Sequence, residues 1–161
     1  MSKTQQKPNL SLPLICSEES LIRLLCSPWY YDENKKCVNP DAFDLRVLQS
    51  GLEEFVSLGR FTGFENETDI KEFLFGLGPK IWKKDNSNSY WGYGTFKCGD
   101  ALEVNDKIEI HPLQNSKSHH VGMFYKKSDN EYYRGPLPKD DIEILEMLSD
   151  LADLLEVVKV V

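Results

Sequence analysis

The C-terminal part of the chain carries the pattern that most limits how the protein can fold. Apolar residues recur there at three- and four-residue intervals with acidic residues between them, as in an amphipathic helix. The apolar positions are Ile142, Leu145, Leu148, Leu151, Leu154, Leu155 and Val158. Because the apolar side of such a helix must be covered, the pattern predicts a long C-terminal helix packed on a sheet.

The sheet is predicted mainly from the second half of the chain. Short apolar and aromatic runs alternate there with turn dipeptides such as Gly99-Asp100 and Asn105-Asp106. These runs predict strands over residues 90–98, 101–104, 107–111 and 120–126. Their close spacing favours an antiparallel meander over β-α-β units, which need longer connections.

Two short helices are predicted in the first half. Ser17 is a good N-cap for a helix over residues 18–26, which Pro28 would end. Thr68 is a good N-cap for a second helix, which a glycine at position 76 or 78 would end. The predicted fold class is therefore α+β: a mostly antiparallel sheet with two short helices and the long C-terminal helix.

Residues 43–64 leave two interpretations open. A helical stripe is one interpretation, formed by Val47, Leu48, Leu52, Phe55 and Val56. The other is a turn at Gln49-Ser50-Gly51 between two strands, with residues 55–58 as the second strand. Further glycines in the segment weaken a long helix. We favour the hairpin.

The length of 161 residues is typical of a single domain. We expect a flexible N-terminal tail over residues 1–9 and one α+β domain over residues 10–161. The apolar run from Leu10 to Cys16 is short and interrupted, and no run approaches the roughly 20 apolar residues of a membrane span. We therefore expect a cytoplasmic protein with no membrane contact.

The cysteines give no sign of a metal centre. Cys16, Cys26, Cys37 and Cys98 are each separated by ten residues or more, whereas zinc sites usually take cysteines in close pairs. We expect reduced thiols, and we predict neither a metal nor a cofactor.

The negative charge is concentrated in one segment. The formal net charge is −7, and seven acidic residues without a basic residue lie between Asp140 and Glu156. Neighbouring carboxylates three or four residues apart repel each other on a helix, so this density of acidic residues is higher than on an ordinary helix surface. One interpretation is a docking surface for a basic partner, or a mimic of nucleic-acid charge; the other is a solvated helix face. The candidate partner-binding residues are Glu143, Glu146, Asp150 and Asp153.

A second candidate surface combines aromatic and basic residues. In a strand, alternation places Trp91, Tyr93 and Thr95 on one face and Gly92 and Gly94 on the other. The ligand-binding candidates are Trp91, Tyr93, Lys83 and Lys84, since such a set could stack a base and contact a phosphate. Alternatively, the glycines make room for a packing helix and the aromatic side chains cover the core.

The histidines and one arginine are the candidate catalytic residues. His119 or His120 could act in acid–base chemistry with Arg60, whose guanidinium could hold a carboxylate or phosphate. A zinc site would instead draw on His111, either His119 or His120, and a carboxylate such as Asp100 or Glu109. The ordinary interpretation is that the histidines are polar residues at strand ends and that Arg60 forms a structural ion pair.

Two hypotheses for function follow from these patterns. The chain contains no P-loop, no GxSxG elbow, no HExxH motif and no EF-hand loop. We therefore favour a non-catalytic binding protein, whose partner is another protein, over an enzyme. The alternative is a small enzyme acting on a nucleotide or nucleic acid through His119 or His120, Arg60 and the aromatic residues. Plain nucleic-acid binding is disfavoured because the chain has no overall positive charge.

Overall fold

The computed structural model describes residues 15–27, 30–32, 34–48, 51–60, 89–113 and 120–159. For residues 26, 27, 48, 89–92 and 153–159 it describes the backbone alone. The predicted tail over residues 1–9 and the predicted helix after Thr68 lie outside these residues.

Strands are the dominant element of the described chain. They are β1 (Ser20–Ser27), β2 (Tyr31–Asp32), β3 (Cys37–Val38), β4 (Val47–Leu48), β5 (Gly51–Leu52), β6 (Val56–Arg60), β7 (Ser89–Lys97), β8 (Ile108–Pro112), β9 (His120–Ser128), β10 (Glu131–Tyr132) and β11 (Glu156–Lys159). The helices are α1 (Cys98–Val104) and α2 (Ile142–Leu155), with 3₁₀ turns at Pro40–Phe43 and Lys139–Asp141.

Seven of these strands form one antiparallel sheet. Six follow the order β10-β9-β6-β1-β7-β11. Strand β8 pairs with β9 on the edge opposite β6, because Met123 is paired with Val56 on one side and with Ile110 on the other. The pairs β2–β3 and β4–β5 form two separate hairpin-like ladders.

The sheet has two faces, which we call the helix face and the far face. The helix face carries Leu21, Leu58, Phe96 and Met123, which belong to one core cluster with the buried side of α2. The far face carries a second set of side chains, because neighbouring residues in a strand point to opposite sides. Its members include Ile22, Tyr93, His120 and Phe124, as the strand registers show.

The predicted helix over residues 18–26 is wrong, since this segment forms the central strand β1. Leu21, Ile22, Leu24 and Leu25 are each no more than 2% exposed. Four nearly consecutive buried residues mean that both faces of the strand are covered. A strand buried on both faces reads as a continuous apolar run, and such a run resembles a helical stripe.

The α+β class with a long terminal helix is also wrong, because the described chain is rich in sheet. Helix α2 has 14 residues and ends at Leu155, and the chain then enters β11, which pairs with β7. Val158 fits the helical spacing, but Val157 and Val158 are β-branched residues that favour a strand.

The predicted meander holds only in part. Strands β8, β9 and β10 follow one another as neighbours, but β7 pairs with β1 and β11. The predicted strand over residues 101–104 is instead helix α1. The favoured hairpin in residues 43–64 is only partly right. Val47 pairs with Leu52 and Leu48 with Gly51, so a short hairpin forms here. The predicted second strand over residues 55–58 falls mostly in β6, which pairs with β1 and β9 instead.

One buried arginine ties three elements of the helix face together. Arg23 is 4% exposed, and its Nε donates to the carbonyl oxygen of Ala42 at 2.7 Å. Its Nη1 donates to the carbonyl oxygen of Ser57 at 3.2 Å, and its Cζ lies 5.0 Å from the ring centroid of Tyr30. Arg23 therefore joins β1, β6 and the first 3₁₀ turn.

None of the described helices is long and apolar enough to cross a membrane.

Candidate functional site

Helix α2 is held on the sheet by one apolar side. Ile144, Leu145, Leu148 and Ala152 are each no more than 3% exposed. A side-chain carbon placed on Gly94 of β7 would lie 3.6 Å from the Cβ of Ala152, an ordinary contact distance. The helix therefore packs closely over β7 at this glycine, which supports the interpretation that Gly94 makes room for a helix.

The opposite side of α2 carries the candidate partner-binding acids. Glu143, Glu146 and Asp150 are exposed, as is Asp140 in the preceding 3₁₀ turn. We call these four residues the acidic surface. Within the described chain, none of them forms an ion pair with a lysine, arginine or histidine. The side chain of the fourth predicted residue, Asp153, lies outside the described part.

The repulsion within this surface is local. Glu143 and Glu146 are three residues apart and Glu146 and Asp150 four, so both pairs are neighbours along the helix. Each such pair destabilises a helix by a few tenths of a kcal/mol. Among the described side chains of α2, the helix dipole offsets part of this repulsion at Glu143, because it favours an acid in the first turn.

Asp141 is an exception among the acids of this segment. It is 8% exposed, and its Oδ1 accepts a 2.6 Å hydrogen bond from Nζ of Lys107. This bond raises the pKa of Lys107, and a further hydrogen bond from Tyr133 to Asp141 raises the pKa of that phenol. Asp141 thus anchors the start of α2 to the start of β8. Its position three residues before Ile144 places it on the buried side, a signal that the periodicity already contains.

Helix α1, which packs beside α2, carries further acids that the charge pattern did not include in the acidic segment. Asp100 and Glu103 are exposed, as is Asp106 just after the helix. Leu102 of the same helix is 38% exposed. The sequence patterns predicted Asp100 and Asp106 in turns and Glu103 in a strand, so they did not indicate a helix that carries these acids.

Arg60 is part of a structural ion pair. Its Nε and Nη2 donate to the two carboxylate oxygens of Glu19 at 2.6 and 2.9 Å. The Glu19 side chain is 8% exposed, and the hydrogen bond raises the pKa of Arg60. This two-pronged contact uses the geometry with which arginine would otherwise bind a phosphate.

His120 and Arg60 lie on opposite faces of the sheet. Gly59 pairs with His120 and Arg60 with Leu21, and successive residues of a strand point to opposite sides. The structure therefore does not bring the two candidate catalytic residues together. His119, the other candidate, lies outside the described residues.

His120 belongs to a histidine–aromatic cluster on the far face. The centroid of its ring lies 6.2 Å from the ring centroid of Phe55. The ring centroids of Phe55 and Phe124 are 5.4 Å apart. Burial lowers the pKa of His120 to about 4, so its imidazole is neutral at pH 7. His111 packs against Phe124 on the same face, with ring centroids 6.1 Å apart.

A carboxylate organises the edge of this cluster. Oε1 of Glu109 accepts hydrogen bonds from Nε2 of His111 and from the hydroxyl of Tyr132, both at 2.8 Å. Burial and the bond to Glu109 raise the pKa of Tyr132 to about 12. Lys126 lies 3.5 Å from the other oxygen of Glu109. The pairing of His111 with Glu109 is that of a carboxylate and the histidine it orients, and no group of residues in the described part has the arrangement of a metal site.

The aromatic–basic candidates are only partly described. Tyr93 lies on the far face, as His120 does, but it is 5% exposed and forms part of the interior. Trp91 lies in β7, and its side chain is outside the described part, as are Lys83 and Lys84. Alternation in β7 is as predicted for Tyr93 and Gly94, which lie on opposite faces of the sheet.

Comparisons with protein-family models, with curated proteins and with solved structures find no match to this chain. What the protein does must therefore be argued from its own residues.

Proposed function

We propose that this protein binds a basic partner protein through the acidic surface of α2. The proposal depends on one observation: Glu143, Glu146 and Asp150 are exposed on a helix whose other side is packed on the core, and none is paired within the described chain. The charges are thus fixed in place by a rigid element. Within the described chain they form no ion pair that holds the helix in place, whereas Asp141 forms one with Lys107.

A basic partner would relieve the repulsion between the carboxylates of the acidic surface. Three carboxylates within eight residues span about 10 Å along the helix axis, at 1.5 Å per residue. Like charges this close make the local electrostatic potential more negative. This potential attracts a positively charged partner and speeds its association. A partner that places lysine or arginine between these carboxylates replaces repulsion with attraction.

Binding of oligolysine to the full chain tests this proposal. Isothermal titration calorimetry at several salt concentrations measures Kd for the unchanged chain and for the double variant Glu146→Lys/Asp150→Lys. We expect the reversal to weaken binding by about tenfold or more, with the affinity of the unchanged chain falling steeply as salt increases.

A control variant separates the helix surface from net charge. Asp129 is exposed in the turn between β9 and β10. Asp129→Lys changes the net charge by the same amount as one of the two helix reversals, so it is compared with Glu146→Lys alone. Equal loss of oligolysine binding in these two single variants would show that overall charge, and not the acidic surface, is responsible.

A further inference from the structure

Two exposed apolar residues flank the acidic surface. Ile142 is 41% exposed and Met147 is 44% exposed, although both belong to a helix with a well-packed apolar side. At 100° per residue, Glu143 and Asp150 lie near the middle of the outer side, with Ile142 and Met147 on its two flanks. The outer side of α2 thus carries a central acidic row with an apolar side chain on each border.

These flanks are not explained by the packing of the helix. Single exposed apolar residues are common on protein surfaces. Here, however, both border the same unpaired carboxylates. The other large apolar side chains with comparable exposure in the described chain are Leu102 of α1 and the cross-strand pair Val47 and Leu52. That pair lies in the β4–β5 hairpin beside the Arg46–Glu53 ion pair, so it offers apolar surface without the acidic row.

We infer that the partner contributes a basic amphipathic segment, whose lysine or arginine side chains meet the acidic row while its apolar side chains cover Ile142 and Met147. This inference depends on the proposed function, since it names the chemistry of the partner at the same surface. Charge complementarity selects a cationic occupant and disfavours nucleic acid or an anionic membrane. The apolar flanks favour a protein segment over a bare polycation. Apolar side chains of such a segment can cover Ile142 and Met147, and removing this surface from water increases the affinity of the complex.

The test compares two probes of equal net charge on the full chain: oligolysine and a synthetic lysine–leucine amphipathic peptide. Isothermal titration calorimetry gives Kd for each. We expect the lysine–leucine peptide to bind about tenfold more tightly, since it also buries the two apolar side chains. The double variant Ile142→Ser/Met147→Ser should remove this tenfold difference and leave the Kd for oligolysine unchanged.

A matched control uses the exposed pair in the hairpin. Val47→Ser/Leu52→Ser removes a similar apolar surface away from the acidic row and should keep the tenfold difference. Equal binding of both probes by the unchanged chain overturns the inference, as does equal loss of the difference in the two double variants. In either case the proposed function stands if Glu146→Lys/Asp150→Lys still weakens oligolysine binding. If that reversal has no effect, the proposed function fails as well.

Because all four apolar side chains are exposed, the variants should keep the unfolding midpoint of the unchanged chain, which urea denaturation checks.

Discussion

The backbone amide of Gly99 donates a 2.8 Å hydrogen bond to the carbonyl oxygen of Ser17, which brings the start of α1 against the segment before β1. The approach is close enough to require glycine. A side-chain carbon at position 99 would lie 2.9 Å from the Cβ of Ser17 and 3.0 Å from its carbonyl oxygen. Because one of these neighbours is backbone, the segment itself would have to move.

We therefore predict that Gly99→Ala lowers the free energy of unfolding by about 1–2 kcal/mol. Overpacking of a tight contact costs about 1–3 kcal/mol. The higher helix propensity of alanine returns up to about 1 kcal/mol of this. Gly94→Ala is the matched control, since its added carbon would meet Leu25 and Ala152 at 3.5 and 3.6 Å. Urea denaturation should show little change for Gly94→Ala, and equal losses in both variants would contradict the explanation.

Arg23 gives a second prediction about stability. Arg23→Met keeps the aliphatic length but leaves the carbonyl oxygens of Ala42 and Ser57 without their donor. Since an unsatisfied buried group costs about 1–3 kcal/mol, we expect a loss of about 2–4 kcal/mol in the free energy of unfolding. Arg134→Met provides the comparison, because Arg134 is 54% exposed in its ion pair with Glu54 and should matter by less than about 1 kcal/mol. A smaller effect at Arg23 than at Arg134 would show that these buried hydrogen bonds do not stabilise the fold.

His120 should make the protein less stable as the pH falls below neutral. Burial lowers the pKa of His120 from 6.5 to about 4, so the unfolded chain binds the proton more readily than the folded one. The stability associated with the neutral ring is therefore complete above pH 6.5 and is lost as the pH falls to about 4. The full loss amounts to about 3 kcal/mol. Urea denaturation of His120→Gln across this range should give a flatter pH dependence, and an unchanged slope would contradict the assignment.

Glu109 should act in a more acidic range. Burial would raise its pKa, but hydrogen bonds from His111 and Tyr132 outweigh burial and lower the pKa below the ordinary value of 4.5. Ionised Glu109 therefore stabilises the fold above about pH 4.5, and this stabilisation is lost as the pH falls through the lower folded pKa. We expect Glu109→Gln to cost about 1 kcal/mol at pH 7 and less at acidic pH. The variant should keep the loss of stability due to His120, so each variant controls for the other. A cost that increases with acidity would be the opposite of this prediction.

Local pattern was enough to predict several elements of this fold. Strands β7, β8 and β9 lie close to their predicted positions, because their side chains alternate and turn residues separate them. The exposure of Glu143, Glu146 and Asp150 follows from helical periodicity alone. The end of α2 did not follow, since Leu154, Leu155 and Val158 keep a helical spacing although the chain enters a strand at Glu156. Pairing with β7 decides that point, and pairing is not a local property.

The candidate catalytic pair failed to come together for a related reason. Whether His120 and Arg60 share a face depends on the register between β6 and β9, and a shift by one residue would reverse the result. No feature near either residue encodes that register. The partner of Arg60, Glu19, is likewise distant in sequence and could not be chosen among the many acids of the chain.

The central position of β1 has a consequence for how the protein reaches its native state. Leu21 is paired with Arg60 on one side and with Phe96 on the other, so the middle of the sheet forms only when three remote stretches of chain meet. Such closures between distant residues give a high contact order and slow folding. Until both are made, the apolar residues of β1 stay open to water and to other chains, which makes dilution and low temperature the natural conditions for refolding this protein.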